Sequence, residues 1–216
     1  MSEYLPILLA IGALAMLPFI ALMVTSFAKF VIVLGLLRQA LGLQQVPPNM
    51  VLNGIALVLT LYVMAPVAME AGDNLRASGR GLGSFKTIED IGGAYDAVST
   101  PLRTFLMKHS EPRDRKFFLR TASRLWPAER ASTLKEEDLL VVVPAFTVTE
   151  LSEAFRIGFM LFLAFLVIDL IIANILLALG MSMVSPTIIS VPFKLLLFVL
   201  LDGWARLLQG LVIGYQ

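Results

Sequence analysis

The feature that most constrains this chain is where charge is missing. Of its 17 Lys/Arg and 16 Asp/Glu, twelve and eleven respectively fall between Glu70 and Asp138, and the other 147 residues carry only ten charges. About 20 consecutive apolar residues cross a bilayer as a helix. Leu5–Ala28 supplies 24 uncharged residues and, after Lys29 and Arg38, Gln39–Met69 supplies 31. A soluble domain has about 25% charged residues, against 15% here, and the mean hydropathy is +0.84. The chain is built for lipid, or for an assembly as apolar as lipid.

The charge map divides the chain into an apolar part (1–69), a polar part (70–146) and a second apolar part (147–216). In the first part, Val46-Pro47-Pro48-Asn49 interrupts the second run. Two adjacent prolines remove amide donors and clash with a preceding helical turn, so Gly42–Asn49, with Pro47 and Pro48, reads as the turn of a helical hairpin. Pro18 is expected to kink the first helix. In the last part, Thr147-Val148-Thr149-Glu150 fits a capping box that would start a helix over Leu151–Leu179. Gly180 fits the left-handed residue that ends it, and Met181-Ser182-Met183-Val184-Ser185-Pro186 is the break. A second stretch, Ile188–Ile213, has Pro192 near its start. Four candidate spans result.

The polar part reads as a small helical domain. Gly79–Gly83 is a loop. Thr100-Pro101 resembles an N-cap followed by proline at the first helical position, with Leu102, Phe105 and Leu106 on one face. Pro112 opens another helix with Phe118, Ala122 and Leu125 inward, and Trp126-Pro127 closes it. Thr133 and Glu136 offer a further capping box. Lys/Arg bias in short loops sets orientation. Lys29 and Arg38 flank the first tip, while Glu3 is the only charge at the amino end. Both tips then face the cytoplasm, with the middle domain and both termini outside.

Several functions have little to build on. A net charge of +1 gives no footprint for nucleic acid. Without cysteine there are no disulfides, Fe–S clusters or Cys-zinc sites. A lone histidine, His109, excludes a His-Glu-x-x-His zinc site. The glycines of Gly79–Gly83 lack the Gly-Lys-Ser/Thr ending of a phosphate loop. No nucleophile elbow is present. The acidic start Met1-Ser2-Glu3 does not fit a secretory signal, although Ala13-Leu14-Ala15 imitates a cleavage site. The chain is expected to be no enzyme and to need no cofactor or metal.

The ionised groups inside the last part say more. Glu153, Arg156, Asp169, Lys194, Asp202 and Arg206 interrupt the spans, just after Glu150. A charge at a bilayer centre costs about 2.5–3.5 kcal/mol on insertion scales, and a leucine returns only about 0.3–0.6. These groups must therefore face protein or water. Glu153 and Arg156 are spaced to pair on one helix face. Asp169 and Lys194 are equidistant from the second turn and could meet in an antiparallel hairpin. Four helices offer little interior for so many charges, so contacts between subunits are expected to shelter them; snorkelling and pairing within one chain is the plainer alternative. Met181 and Met183 read as ordinary packing or, repeated about an axis, as a deformable seal made of flexible thioethers.

Certain residues carry a family signature. Met23–Leu34, Leu36-Leu37-Arg38-Gln39-Ala40-Leu41-Gly42 and Gln44–Asn49 closely resemble the SctR/FliP family, inner-membrane proteins of the type III secretion export apparatus in injectisomes and flagella. Pro144-Ala145-Phe146, Glu150-Leu151, Ala154–Phe159, Ile168-Asp169-Leu170, Ser185-Pro186-Thr187 and Pro192–Leu195 extend the resemblance. It covers nearly the whole chain and is weakest over Ser78–Leu134. Met181-Ser182-Met183 is shorter than the family's methionine run, and Lys29 stands where Arg is common, keeping the charge but losing the guanidinium fork. Length favours the injectisome branch.

The resemblance implies an all-α, membrane-associated fold: two long apolar hairpins flank a small polar helical domain and assemble into an oligomeric ring, a pentamer. It implies smaller partners of the SctS/FliQ and SctT/FliR types, and unfolded secreted proteins passing through the centre. The methionine turn would be the gasket, and a separate ATPase and the proton gradient would supply energy. In that family the nominal spans are largely bent hairpins lifted from the bilayer plane. The alternative function is a small-solute or proton-coupled transporter with Asp169 and Lys194 on its path.

Overall fold

The structure is a computed structural model that describes residues 12, 15–16, 19–77 and 88–216. Pro18, the Gly79–Gly83 loop and eleven of the 24 residues of the Leu5–Ala28 run lie outside the described residues. Among the described residues the fold is all-helical. The helices are α1 (Phe27–Ala40), α2 (Asn49–Ala77), α3 (Ile88–Lys108), α4 (Pro112–Leu125), α5 (Ala128–Ala131), α6 (Leu139–Ala178), α7 (Pro186–Leu200) and α8 (Gly203–Ile213). Two of them, α2 and α6, are long and apolar enough to cross a membrane; a third crossing exists if α7 and α8 count as one bent span.

Two helix ends follow directly from glycine. Gly42 and Gly180 have φ of +79° and +71°, a region in which a Cβ would clash. The amide of Gly180 donates to the Leu177 carbonyl at 3.0 Å and that of Met181 to Leu176 at 2.9 Å, the paired bonds of a Schellman ending. After α1, Gly42 and Leu43 donate in the same way to Gln39 and Arg38, at 2.9 and 3.1 Å. The Arg38 guanidinium then donates to the Pro47 carbonyl at 3.0 Å, which holds the proline turn before Asn49 opens α2.

Three expected helix starts are corrected. The last long helix begins at Leu139 and runs through Thr147–Glu150. Thr147 Oγ1 donates back to the Val143 carbonyl at 2.9 Å, a way for Thr to satisfy itself inside a helix. The true start is marked by Asp138, whose Oδ2 accepts the Lys135 amide at 2.7 Å while its carbonyl accepts from Val142 at 2.9 Å. Thr133 starts nothing: its hydroxyl donates to the Arg130 carbonyl, and Glu136 accepts from Arg115. Thr100-Pro101 lies within α3, where Thr100 accepts from Thr104 and Pro101 is buried. At Thr147 and Thr100 apolar neighbours carried the helix through a local cap signal, whereas Thr133 lies in the turn between α5 and α6.

Pro112 does open α4 and Trp126 ends it. Phe105, Leu106 and Ala122 are buried, but Leu125 is 74% exposed rather than inward. The Ile188–Ile213 stretch is also not one helix. It breaks at Leu201–Asp202, and α7 and α8 meet at 63°. The Phe198 ring is the reason: it lies against the backbone of Gly203, whose added Cβ would also stand 2.7 Å from the Phe198 carbonyl.

The chain forms two compact units that interleave along the sequence, one from residues 1–28 and 64–150, the other from 29–63 and 151–216. In the first, the buried Thr149 hydroxyl donates to Asp114 Oδ2 at 3.0 Å and accepts the Glu111 amide at 3.0 Å. Phe105 packs on Phe146 with ring centres 5.8 Å apart. The core of the second unit is Leu37, Ala40, Leu41, Phe165 and Phe198, with Trp204 edge-on to Phe198 at 5.4 Å.

Gly203→Ala should therefore destabilise the second unit by about 1–3 kcal/mol, the usual range for overpacking. Gly210→Ala, in the same helix with open space around it, should be neutral or gain up to about 1 kcal/mol from helix propensity. Thermal unfolding in a mild detergent separates the two; equal shifts would show that Phe198 does not set the bend.

Candidate functional site

The charges of the apolar helices are sorted by partner. Lys194, at the middle of α7, is buried with 5% of its side chain exposed. Its ammonium donates to Asp169 Oδ2 of α6 at 2.6 Å and to the Ala40 carbonyl at 3.1 Å. The last four carbonyls of a helix lack intrahelical donors and form the negative end of its dipole. Ala40 is the last residue of α1, so one ammonium neutralises a carboxylate and caps a helix. The pairing expected of Asp169 and Lys194 is present. Asp169 Oδ1 remains buried without a hydrogen-bond partner among the described residues.

Glu153 does not pair with Arg156. Its Oε2 accepts from Lys29 of α1 at 2.6 Å. The Lys29 ammonium also lies 4.4 Å from the centre of the Tyr215 ring, an attractive cation–π contact. The Tyr215 ring is edge-on to Phe30 at 5.8 Å. An ion pair across 124 residues satisfies a buried lysine better than leaving it alone, which a helix-local pair would have done. Lys29, Tyr215 and the Ala40 carbonyl are the members that sequence reasoning missed. Lys29 carried a signal, being a single charge in an otherwise uncharged stretch that needed a distant acid.

The remaining charges stand differently. Glu150 is buried in the first unit. Arg156, Asp202 and Arg206 are exposed and make no ion pair among the described residues. Asp202 sits at the α7–α8 break with φ of +52°. Pro47 and Pro48 lie in the turn before α2, as expected. The methionine turn follows the Schellman ending of α6, where Met181 is 43% and Met183 98% exposed.

The surrounding apolar surface is largely uncovered. Only 6% of the most apolar window of α6 and 17% of that of α2 is buried. Between α6 and α7 an open, wholly apolar cavity of about 490 Å³ is lined by Ile172, Leu176, Met181, Phe193 and neighbours. Among the described residues no group of three His, Cys, Asp or Glu could hold a metal.

These features define a helical membrane protein whose interior ionic groups hold helices together and whose apolar faces await lipid or protein. The FliP family profile matches residues 10–211. The hypersensitivity response secretion protein HrcR of Ralstonia nicotianae is 53% identical over 214 residues, 99% of this chain and 98% of its own length. Pathogenicity-related ORF2 of Xanthomonas campestris pv. glycines is 52% identical, over 97% of this chain and 96% of its own. The Yop proteins translocation protein R of Yersinia pestis is 48% identical, over 100% and 98%. The chain belongs to the FliP family and is a component of the type III secretion export apparatus. Family membership sets it apart from enzymes.

Asp169→Leu should cost about 3–5 kcal/mol, because it strands the buried Lys194 ammonium. Lys194→Met should cost less, about 1–3 kcal/mol, since Asp169, 32% exposed against 5% for Lys194, is the less buried partner. The double variant should recover all but about 1 kcal/mol, the worth of the lost Ala40 hydrogen bond. Unfolding midpoints in detergent test this cycle, and additive losses would contradict it.

Proposed function

We propose that the chain is a pore-forming structural subunit of the export gate, conducting unfolded proteins across the bacterial inner membrane. Copies of it form a ring, a pentamer by family resemblance, joined by smaller subunits of the SctS/FliQ and SctT/FliR types. The apolar parts, 1–69 and 147–216, act as helical hairpins within that assembly. The polar part, 70–146, lies on the periplasmic side. Unfolded secreted chains are the passing cargo.

The observation that carries this reading is the methionine turn. A side chain as apolar as Met183 is 98% exposed at a tight turn, next to Met181. Thioether side chains have three soft torsions and repack around irregular surfaces. Several such turns facing one axis would seal against ions when empty and yield to a polypeptide. Ser182 between them makes the seal shorter than a continuous methionine run. The uncovered faces of α2 and α6 favour the same reading, because a subunit with lipid or protein on most sides has no need of its own coat.

The exposed Arg156, Asp202 and Arg206 are the charges left for neighbouring subunits. Glu150, Glu153, Asp169 and Lys194 shape the subunit that presents them. A proton-coupled or small-solute transporter with Asp169 and Lys194 on its path is the weaker reading. The Lys194 ammonium is already committed to a carboxylate and a helix-terminal carbonyl, which leaves little capacity for a transported ligand.

Replacing Met181 and Met183 by Gly in an assembled gate should raise ion or small-molecule leakage across the membrane several-fold. Dye or conductance measurements on cells or vesicles carrying the gate read the effect. An assembled double variant that stays impermeable would refute the gasket.

A further inference from the structure

Helix α4 carries a stripe of cations that the export reading leaves unused. Arg113, Phe117, Arg120 and Arg124 follow the i, i+4, i+7, i+11 spacing of a single helix face, with Lys116 and Thr121 beside them. All six line one shallow groove of about 390 Å³ in the first compact unit. The opposite face is the packed one, where Ala122 is buried and Arg115 donates to Glu136 and to the Ser110 and Met107 carbonyls. The outer cations have no such engagement. Lys116, Arg120 and Arg124 make no ion pair among the described residues, and Arg113 reaches only its neighbour Asp114, at 3.4 Å.

Cations three and four residues apart on a helix repel one another and destabilise it. Here three such pairs, 113/116, 116/120 and 120/124, are stacked in succession, and Asp114, the one acid within the stretch, reaches only Arg113 among these cations. An anionic surface removes that penalty. Phe117, 59% exposed among the cations, and Trp126, just past the helix end beside the exposed Leu125, fit the headgroup level of a bilayer. An acidic protein segment would neutralise the cations but leaves those apolar groups without purpose. A chain with two membrane-length helices also keeps a bilayer within reach.

We propose that the α4 stripe binds the anionic headgroups of phospholipid at the membrane surface, with Phe117 and Trp126 as interfacial anchors. This inference rests on the chain being a membrane protein and is independent of the conduit and gasket. The test uses the full chain in lipid nanodiscs, with Trp204→Phe so that Trp126 is the sole indole. Bromine-labelled phosphatidylglycerol and bromine-labelled phosphatidylcholine are compared at equal bromine content. The expected result is at least about twofold stronger quenching by the phosphatidylglycerol, consistent with attraction of basic segments to anionic leaflets. The preference should vanish at 0.5 M salt, where the Debye length falls to about 4 Å from about 30 Å at 0.01 M, and in R113Q/K116Q/R120Q/R124Q. Those four positions face outward, and Gln keeps the helix propensity of the residues it replaces. Equal quenching by the two lipids would overturn the proposal, as would a preference that survives the quadruple change. Lipid-independent quenching with loss of co-purifying proteins in the quadruple variant would overturn it too, by assigning the stripe to a protein partner.

Discussion

The structure depends on finding a place for each charge that apolar helices carry. Moving an ion out of water costs several kcal/mol even after relaxation, and only a close counter-ion with further hydrogen bonds offsets it. Lys194 meets that condition with a carboxylate from α6 and the terminal carbonyl of α1, so one side chain joins three helices. Lys29 meets it with Glu153 and the face of Tyr215, which brings the carboxyl-terminal end to α1. Around these clasps, Leu37, Leu41, Phe165 and Phe198 pack as they would in any core.

What remains is a subunit finished inside and unfinished outside. Long apolar faces of α2 and α6 are open, the methionine turn projects, and Arg156, Asp202 and Arg206 are exposed without counter-ions among the described residues. Membership in the FliP family gives that incompleteness a purpose, since the chain works as a component of a larger apparatus. The bend at Asp202–Gly203 belongs to the same logic. It sets Asp202 at the break and Arg206 just after it, both exposed.

Much of this was legible in the residues. Uncharged runs announced the long helices, because no other secondary structure satisfies its backbone alone in an apolar setting. Gly180 marked a helix end through its backbone freedom, and the equal spacing of Asp169 and Lys194 about the second turn anticipated their contact. The failures share a cause. Thr147 and Thr100 each look like caps locally, but a cap signal is worth about 1 kcal/mol and yields to a continuing apolar face. Glu153 with Arg156 satisfied a helix-local rule, whereas the partner was set by a lysine far away in sequence. The α7–α8 bend depends on where one ring, Phe198, meets one glycine, which only packing reveals. The stripe on α4 was hidden by a net charge near zero, since acids elsewhere balance cations gathered on one face.

The most direct test of this account is the native mass of the tagged chain, extracted in mild detergent from cells that hold the whole export apparatus. The account predicts a particle containing several 23.7 kDa chains together with smaller membrane subunits. A stable particle of one 23.7 kDa chain in detergent, unaccompanied by other proteins, would contradict it.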